Sequence, residues 1–210
     1  MNIKGSEHVF ISGFTGSGKT YLSIQYLKNS LKHVFIFDTK NDLDDFAIFE
    51  NSYYFTSIND LFKINFKKIK IPSLFIYQPD IHEVNNPEIH DKFFKFCYDK
   101  KNCTILVDEV TSVCKNVFTL PFYYMSILSR GRSRNTNVWS LSQRPAQIPP
   151  LILTESTHMF SFHLNNKNDR KRLFDQTGIQ DFLTQPDTEI PYAFHYFNNK
   201  LNQYSKGVIT

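Results

Sequence analysis

Cysteine is scarce in this sequence. Its three copies, Cys97, Cys103 and Cys114, are an odd number without metal-ligand spacing, which argues against a disulfide framework and against a zinc site. No apolar run approaches the roughly 20 residues that span a bilayer. The first residues carry neither the basic start nor the apolar block of a signal peptide, so neither a membrane span nor export is expected. Glycine and proline number only 7 and 9, and neither repeats nor low-complexity tracts occur, which excludes collagen-like and disordered chains. The seven histidines show no ligand spacing, and His158 and His163 are expected on opposite sides of one strand. Charge of one sign is barely in excess: a formal +4 permits a polyanionic partner without requiring one. What the chain does have is 210 residues of which 41% are hydrophobic and 16% aromatic, enough for one domain with a sizeable core.

Short apolar segments alternate with turn signals at the spacing of strands and helices, which predicts one α/β domain. His8 to Gly13 reads as a buried strand, followed by a Gly-rich turn and a helix from Lys19 to Leu31 whose apolar side includes Leu22, Ile24, Leu27 and Leu31. A second strand, His33 to Thr39, follows so closely that a right-handed crossover into a parallel sheet is expected. Asn41 to Lys70 is the least legible stretch, with a strand at Tyr53 to Phe55 and a short helix capped by Ser57. Further strands are expected at Ser73 to Gln78, Cys103 to Val110, Val138 to Gln143 and Met159 to Leu164. Helices are expected from Asn86-Pro87 to Lys100, over Phe122 to Arg130, and from Asp169 to Thr177 with Gly178 closing it. Tyr192 to Phe197 and Leu201 to Ser205 flank Asn198-Asn199-Lys200 as a terminal hairpin.

The first turn carries the most specific signal. Gly13-Phe14-Thr15-Gly16-Ser17-Gly18-Lys19-Thr20 fits G-x-x-x-x-G-K-[ST], between an apolar strand and a helix. The glycines let successive backbone N–H groups face phosphate oxygens at the positive end of the helix. Lys19 would neutralise the β- and γ-phosphates of ATP, and the Thr20 hydroxyl would ligate Mg²⁺. Asp108 and Glu109 end the apolar run Ile105-Leu106-Val107 at the edge where a parallel sheet binds its ligand. There Asp108 would hold the Mg²⁺ through its water shell, and Glu109 would polarise a water for attack on the γ-phosphate.

Arginine is also scarce, at six of the 24 basic residues, yet Arg130, Arg132, Arg134 and Arg144 fall within fifteen positions. A lysine-preferring chain that selects the guanidinium fork there points to phosphate contact, and a finger acting in trans would require an oligomer. A solvated basic helix end is the plainer alternative. Gln143 closes its strand where an amide can meet the γ-phosphate or the attacking water.

GFTGSGKT, the strand ending in Asp-Glu and SRGRSRNTNVWSLSQRP together resemble the FtsK-HerA superfamily of P-loop ATPases over Val9 to Pro145. The resemblance implies a RecA-like ASCE fold, a mostly parallel central sheet flanked by helices, with Arg132 as trans finger and Gln143 as sensor; Arg130 and Arg134 stand as understudies. Phe37-Asp38-Thr39-Lys40 is similar to the family's Asp-x-Lys after the second strand, and Asn135 stands where many relatives have glycine. Chain size points to the genome-packaging ATPases of icosahedral viruses with an internal membrane. That implies a homo-oligomeric ring, a hexamer, that threads double-stranded DNA into a capsid, works in the host cytoplasm or at the packaging vertex, and meets capsid or membrane-associated packaging proteins. For DNA contact two candidates stay open, the loop Thr111 to Leu120 with Lys115 and Asn116, and the run Arg170-Lys171-Arg172. The rival readings are a monomeric kinase with its arginines in cis, a nucleotide-dependent assembly factor without turnover, and a filamentous-phage assembly or conjugation-type ATPase.

Overall fold

A computed structural model describes residues 3–40, 51–114 and 116–209. Their strands form one nine-stranded sheet in the order β3-β4-β2-β5-β6-β1-β7-β8-β9. The strands are β1 (His8–Ser12), β2 (His33–Phe37), β3 (Ser52–Phe55), β4 (Leu74–Tyr77), β5 (Cys103–Val107), β6 (Asn137–Ser142), β7 (Ser156–Ser161), β8 (Ala193–Asn198) and β9 (Gln203–Val208). The first seven run parallel and β8 and β9 return antiparallel as the expected hairpin. β1, β2, β4 and β5 read as largely apolar runs because both of their faces are covered. β6 lies between the phosphate-loop strand β1 and the acidic strand β5, the additional strand of the ASCE arrangement.

The helices are α1 (Lys19–Leu27), α2 (Ile58–Lys63), α3 (Pro87–Lys100), α4 (Phe122–Arg130), α5 (Pro150–Glu155) and α6 (Lys167–Thr177). Alternation along the strands sorts the core into two layers. Phe10, Phe35, Phe37, Ile105 and Val107 face residues of α2 to α6, while Val9, Ile11, Ile36, Leu106 and Leu141 face Leu22, Ile24 and Leu27 of α1.

Asn86 caps α3 by accepting from the Glu88 N–H with Pro87 at the first position, and Gly178 ends α6 with φ 72°. Asn166 caps α6 by accepting from the Asn168 N–H, so that helix starts two residues before the expected Asp169. Other boundaries also differ. α1 stops at Leu27, because the next N–H groups of Asn29 and Ser30 bond three residues back, and Leu31, expected on the apolar side, is 88% exposed. β5 ends at Val107, and Val110 opens a 3₁₀ turn instead of closing the strand. β7 ends at Ser161, so His163 leaves the ladder and does not share a strand with His158. The part of the 41–70 stretch at 41–50 lies outside the described residues.

His8 begins β1 with its ring buried, Nδ1 accepting from the Val138 N–H at 3.0 Å. Burial holds its pKa down at about 4, against 6.5 for the free side chain. The unfolded chain therefore takes up a proton that the fold excludes between those two values. Stability should be full above pH 6.5 and fall as pH drops toward about 4. His8→Asn, which keeps an acceptor for Val138, should remove about 2 kcal/mol of the stability difference between pH 7 and pH 5 measured by urea unfolding.

Candidate nucleotide site

β1 ends at Ser12, and the next six residues turn the chain into α1. Gly18 takes φ 105° at the helix start, a left-handed conformation that suits glycine. The turn is tied to the end of β6 by Gly13 N–H donating to Ser142 O (3.2 Å) and to the segment after β7 by Phe14 N–H donating to His163 O (2.8 Å). A Cβ on Gly13 would meet Ser17 Oγ at 2.3 Å, so only glycine lets the loop close this tightly. Lys19 is buried, its Nζ donating to the carbonyls of Gly13 and Phe14 at 2.9 Å each. The buried Ser17 hydroxyl has no hydrogen-bond partner among the described residues. An orphaned donor inside a Gly-rich loop at a helix N-terminus fits a phosphate oxygen.

Asp108 and Glu109 come directly after β5 at the same sheet edge, both nearly buried. The Thr20 hydroxyl donates to Asp108 Oδ1 at 3.4 Å. Two hard oxygen donors this close fit Mg²⁺, which binds through one or two protein oxygens and keeps waters and phosphate oxygens for the rest. Glu109 is clamped: Oε1 accepts from the Thr111 hydroxyl (2.8 Å) and Oε2 from the Gln143 N–H (3.3 Å). Gln143 follows β6, and its side-chain oxygen accepts from the Thr15 hydroxyl at 3.1 Å. Thr15, Gln143 and Glu109 thus form one hydrogen-bonded line from phosphate loop to carboxylate.

Two features of the pocket had weaker signals in the sequence. Lys40 reaches back to both acids, Nζ lying 3.7 Å from Asp108 Oδ2 and 3.5 Å from Glu109 Oε2. The Asp38-x-Lys40 spacing marked it, and buried Asp38 holds that turn by accepting from the Lys40 N–H at 3.1 Å. Tyr192 had no sequence signal as a site residue. It carries φ 59° in place of the expected strand conformation, and its ring stands 6.0 Å from that of Tyr21 over Gly18. Tyr21, Lys40, Asp108, Gln143 and Tyr192 line, with the loop, a cavity of about 330 Å³.

The arginines part company. Arg132 lies in the 3₁₀ turn Gly131–Arg134 that precedes β6, hence at the opposite sheet edge from the phosphate loop. Its side chain is exposed and makes no hydrogen bond or ion pair to any described residue, and the same holds for the side chain of Arg130. Arg134 is engaged, stacked 3.7 Å above the Tyr98 ring and donating to Tyr98 O at 3.2 Å. Arg144 pairs through Nε with the buried Asp169 at 3.0 Å. Asn135 adopts φ 51°, the left-handed conformation that asparagine tolerates in glycine's place.

Both candidate DNA segments meet in one groove. Val117 and Phe118 of the 111–120 loop line it together with Lys171 and Arg172, whereas Arg170 turns away to donate to Leu183 O and Asn165 O. Lys115 lies outside the described residues. No described helix is long and apolar enough to cross a membrane.

The fold is shared with solved structures of genome-packaging NTPases and of a conjugation coupling protein. Among solved structures the chain is similar to the genome-packaging NTPase B204 of Sulfolobus turreted icosahedral virus 2 in complex with AMPPCP, with TM-score 0.75 and 16% identity over 99% of this chain and 100% of that one. It is also similar to B204, the DNA-packaging ATPase of Sulfolobus turreted icosahedral virus, with TM-score 0.74 and 15% identity over 99% and 100%. The conjugation coupling protein TcpA of pCW3 matches with TM-score 0.60 and 13% identity over 96% of this chain and 59% of that one. No protein-family model matches the sequence, and no curated protein matches it.

The different surroundings of the arginines predict different costs. Arg134→Ala should lower stability by about 1–2 kcal/mol through its stacking and hydrogen bond, while Arg132→Ala should stay within about 0.5 kcal/mol of the parent by urea unfolding.

Proposed function

We propose that this chain is an ATP-hydrolysing motor that drives double-stranded DNA into a viral capsid as a homo-oligomeric ring, a hexamer by resemblance, in the host cytoplasm or at the packaging vertex. The observation that carries it is the division of the site between two sheet edges. Gln143 and the phosphate loop stand at one end of β6 and Arg132 at the other, six strand residues or about 20 Å away. A cis arginine, as the kinase reading needs, cannot come from this turn. A neighbouring copy can supply it, which also places Gln143 and Glu109 beside the phosphate that arginine would meet.

The chain's own residues divide the work. Loop N–H groups and the Ser17 hydroxyl cradle phosphate oxygens, and Lys19 exchanges its carbonyl partners for the β- and γ-phosphates. Thr20 and Asp108 would hold Mg²⁺, which when bound neutralises phosphate charge. Glu109 orients the attacking water and accepts its proton, Lys40 balances the adjoining carboxylates, and Gln143 senses the γ-phosphate. Tyr192 and Tyr21 offer aromatic surface to the base. DNA would lie along the groove of Phe118, Lys171 and Arg172, held by its phosphates, so affinity should fall steeply with salt.

Mixing Lys19→Ala with Arg132→Ala protein tests the shared site. Each alone should lose at least about 10³-fold in DNA-stimulated turnover, and a one-to-one mixture should regain roughly a quarter of the parental rate, because about one interface in four joins two intact halves. No recovery, together with an unstimulated monomer by mass on the parent sample, would return the chain to the kinase reading. Separately, Tyr192→Asn, which tolerates the left-handed backbone, should raise KM for ATP about tenfold with kcat little changed, the size expected for one lost base-stacking contact; an unchanged KM removes Tyr192 from the base site.

A further inference from the structure

The formal +4 of the chain is not spread over it. Residues 58–71 and 87–101 hold eight lysines against four carboxylates, an excess that equals the net charge of the whole protein and leaves the remainder neutral. These two segments are neighbours in space. Between them lies a groove of about 540 Å³, floored by Phe62, Phe66 and Phe96 and rimmed by Lys92, Lys95 and Lys100. The three rings touch, at 5.8 Å for Phe62 with Phe96 and 5.5 Å for Phe66 with Phe96, yet Phe62 stays 49% exposed. Lys95 is neutralised by Asp99. Lys92 has no partner among the described residues, and Lys100 stands 4.0 Å over the Phe66 ring. Burial pushes the Lys100 ammonium below its usual range.

We propose that this groove docks an acidic segment of a protein partner, which inserts an aromatic or branched aliphatic side chain between the phenylalanines and sets carboxylates on Lys92 and Lys100. Concavity favours a peptide over a bilayer, which meets convex apolar surface. A DNA duplex presents phosphates but has no loose apolar group to fill a phenylalanine-floored hollow. The groove lies where α3 ends and β5 begins, at the edge opposite the phosphate loop, so an occupant leaves the nucleotide cavity open. Nothing in this assignment depends on ATP turnover, and it stands or falls apart from the motor reading.

Selection of displayed random dodecapeptides on the full chain tests it, with binding of the recovered peptides measured by fluorescence anisotropy. Recovered sequences should place Asp or Glu around a Phe, Trp or Leu. Both Phe62→Ser and the double variant Lys92→Glu/Lys100→Glu should weaken them at least about tenfold, with basal ATP turnover unchanged and the fold verified by circular dichroism. Sequences without carboxylates, or equal affinity for parent and both variants, overturn the proposal. So does a double variant that still binds the peptides but no longer sediments with phosphatidylglycerol vesicles or retains double-stranded DNA, an outcome that would hand the patch to lipid or nucleic acid.

Discussion

Parallel alignment of β5, β6 and β1 is the constraint on which the site depends. Val107 pairs with Ser140, and Ser12 pairs with Ser142, so the three strands release their chains at one edge within hydrogen-bond reach of each other. Phosphate loop, Asp108-Glu109 and Gln143 are then neighbours although they lie far apart in sequence. The strands cannot slip, because a one-residue shift would turn Ile105, Val107 and Phe10 out of one core layer and into the other. Burial of β1 and β6 along their whole length therefore fixes the chemistry as firmly as the side chains that perform it.

The sequence was most legible where one residue type answers one physical need. Gly13 and Gly18 are demanded by a close approach and a left-handed turn, Asn86-Pro87 and Gly178 by helix ends, and Asp108-Glu109 by the ligand-binding edge of a parallel sheet. It was least legible where apolarity reports burial rather than a ladder. Val110, Phe162 and Leu164 are all buried, so they extended the expected strands, yet each lies beyond the last ladder residue. Pro149-Pro150 resembles a break, but proline at the first helical position starts α5. Tyr192 is harder still, since a bulky residue in the left-handed region contradicts every local preference, and only the surrounding structure holds it there.

Lysine and arginine are used for different ends, which the composition alone concealed. Lysines collect around the phenylalanine groove as point charges on flexible stems. The arginines before β6 occupy a short rigid turn whose geometry Arg134 and Asn135 secure, one by stacking on Tyr98 and the other by its left-handed backbone and a 2.7 Å hydrogen bond to Asn102. Arg132 is thereby held out from the surface on a fixed base while its neighbour is anchored.

That turn and Gln143 are the two ends of a single strand. β6 is buried throughout and bonded on both sides, to β5 and β1, and such an element moves as a rod rather than bending residue by residue. In the proposed ring one end of the rod touches its own subunit's γ-phosphate through Gln143 and Thr15, while the other presents Arg132 to the next subunit's. Loss of a γ-phosphate would relax the Thr15–Gln143–Glu109 line at one end and shift the arginine at the other. Coupling between successive sites in the proposed ring would then need no separate relay, because the strand that senses one nucleotide would also complete the pocket of the next.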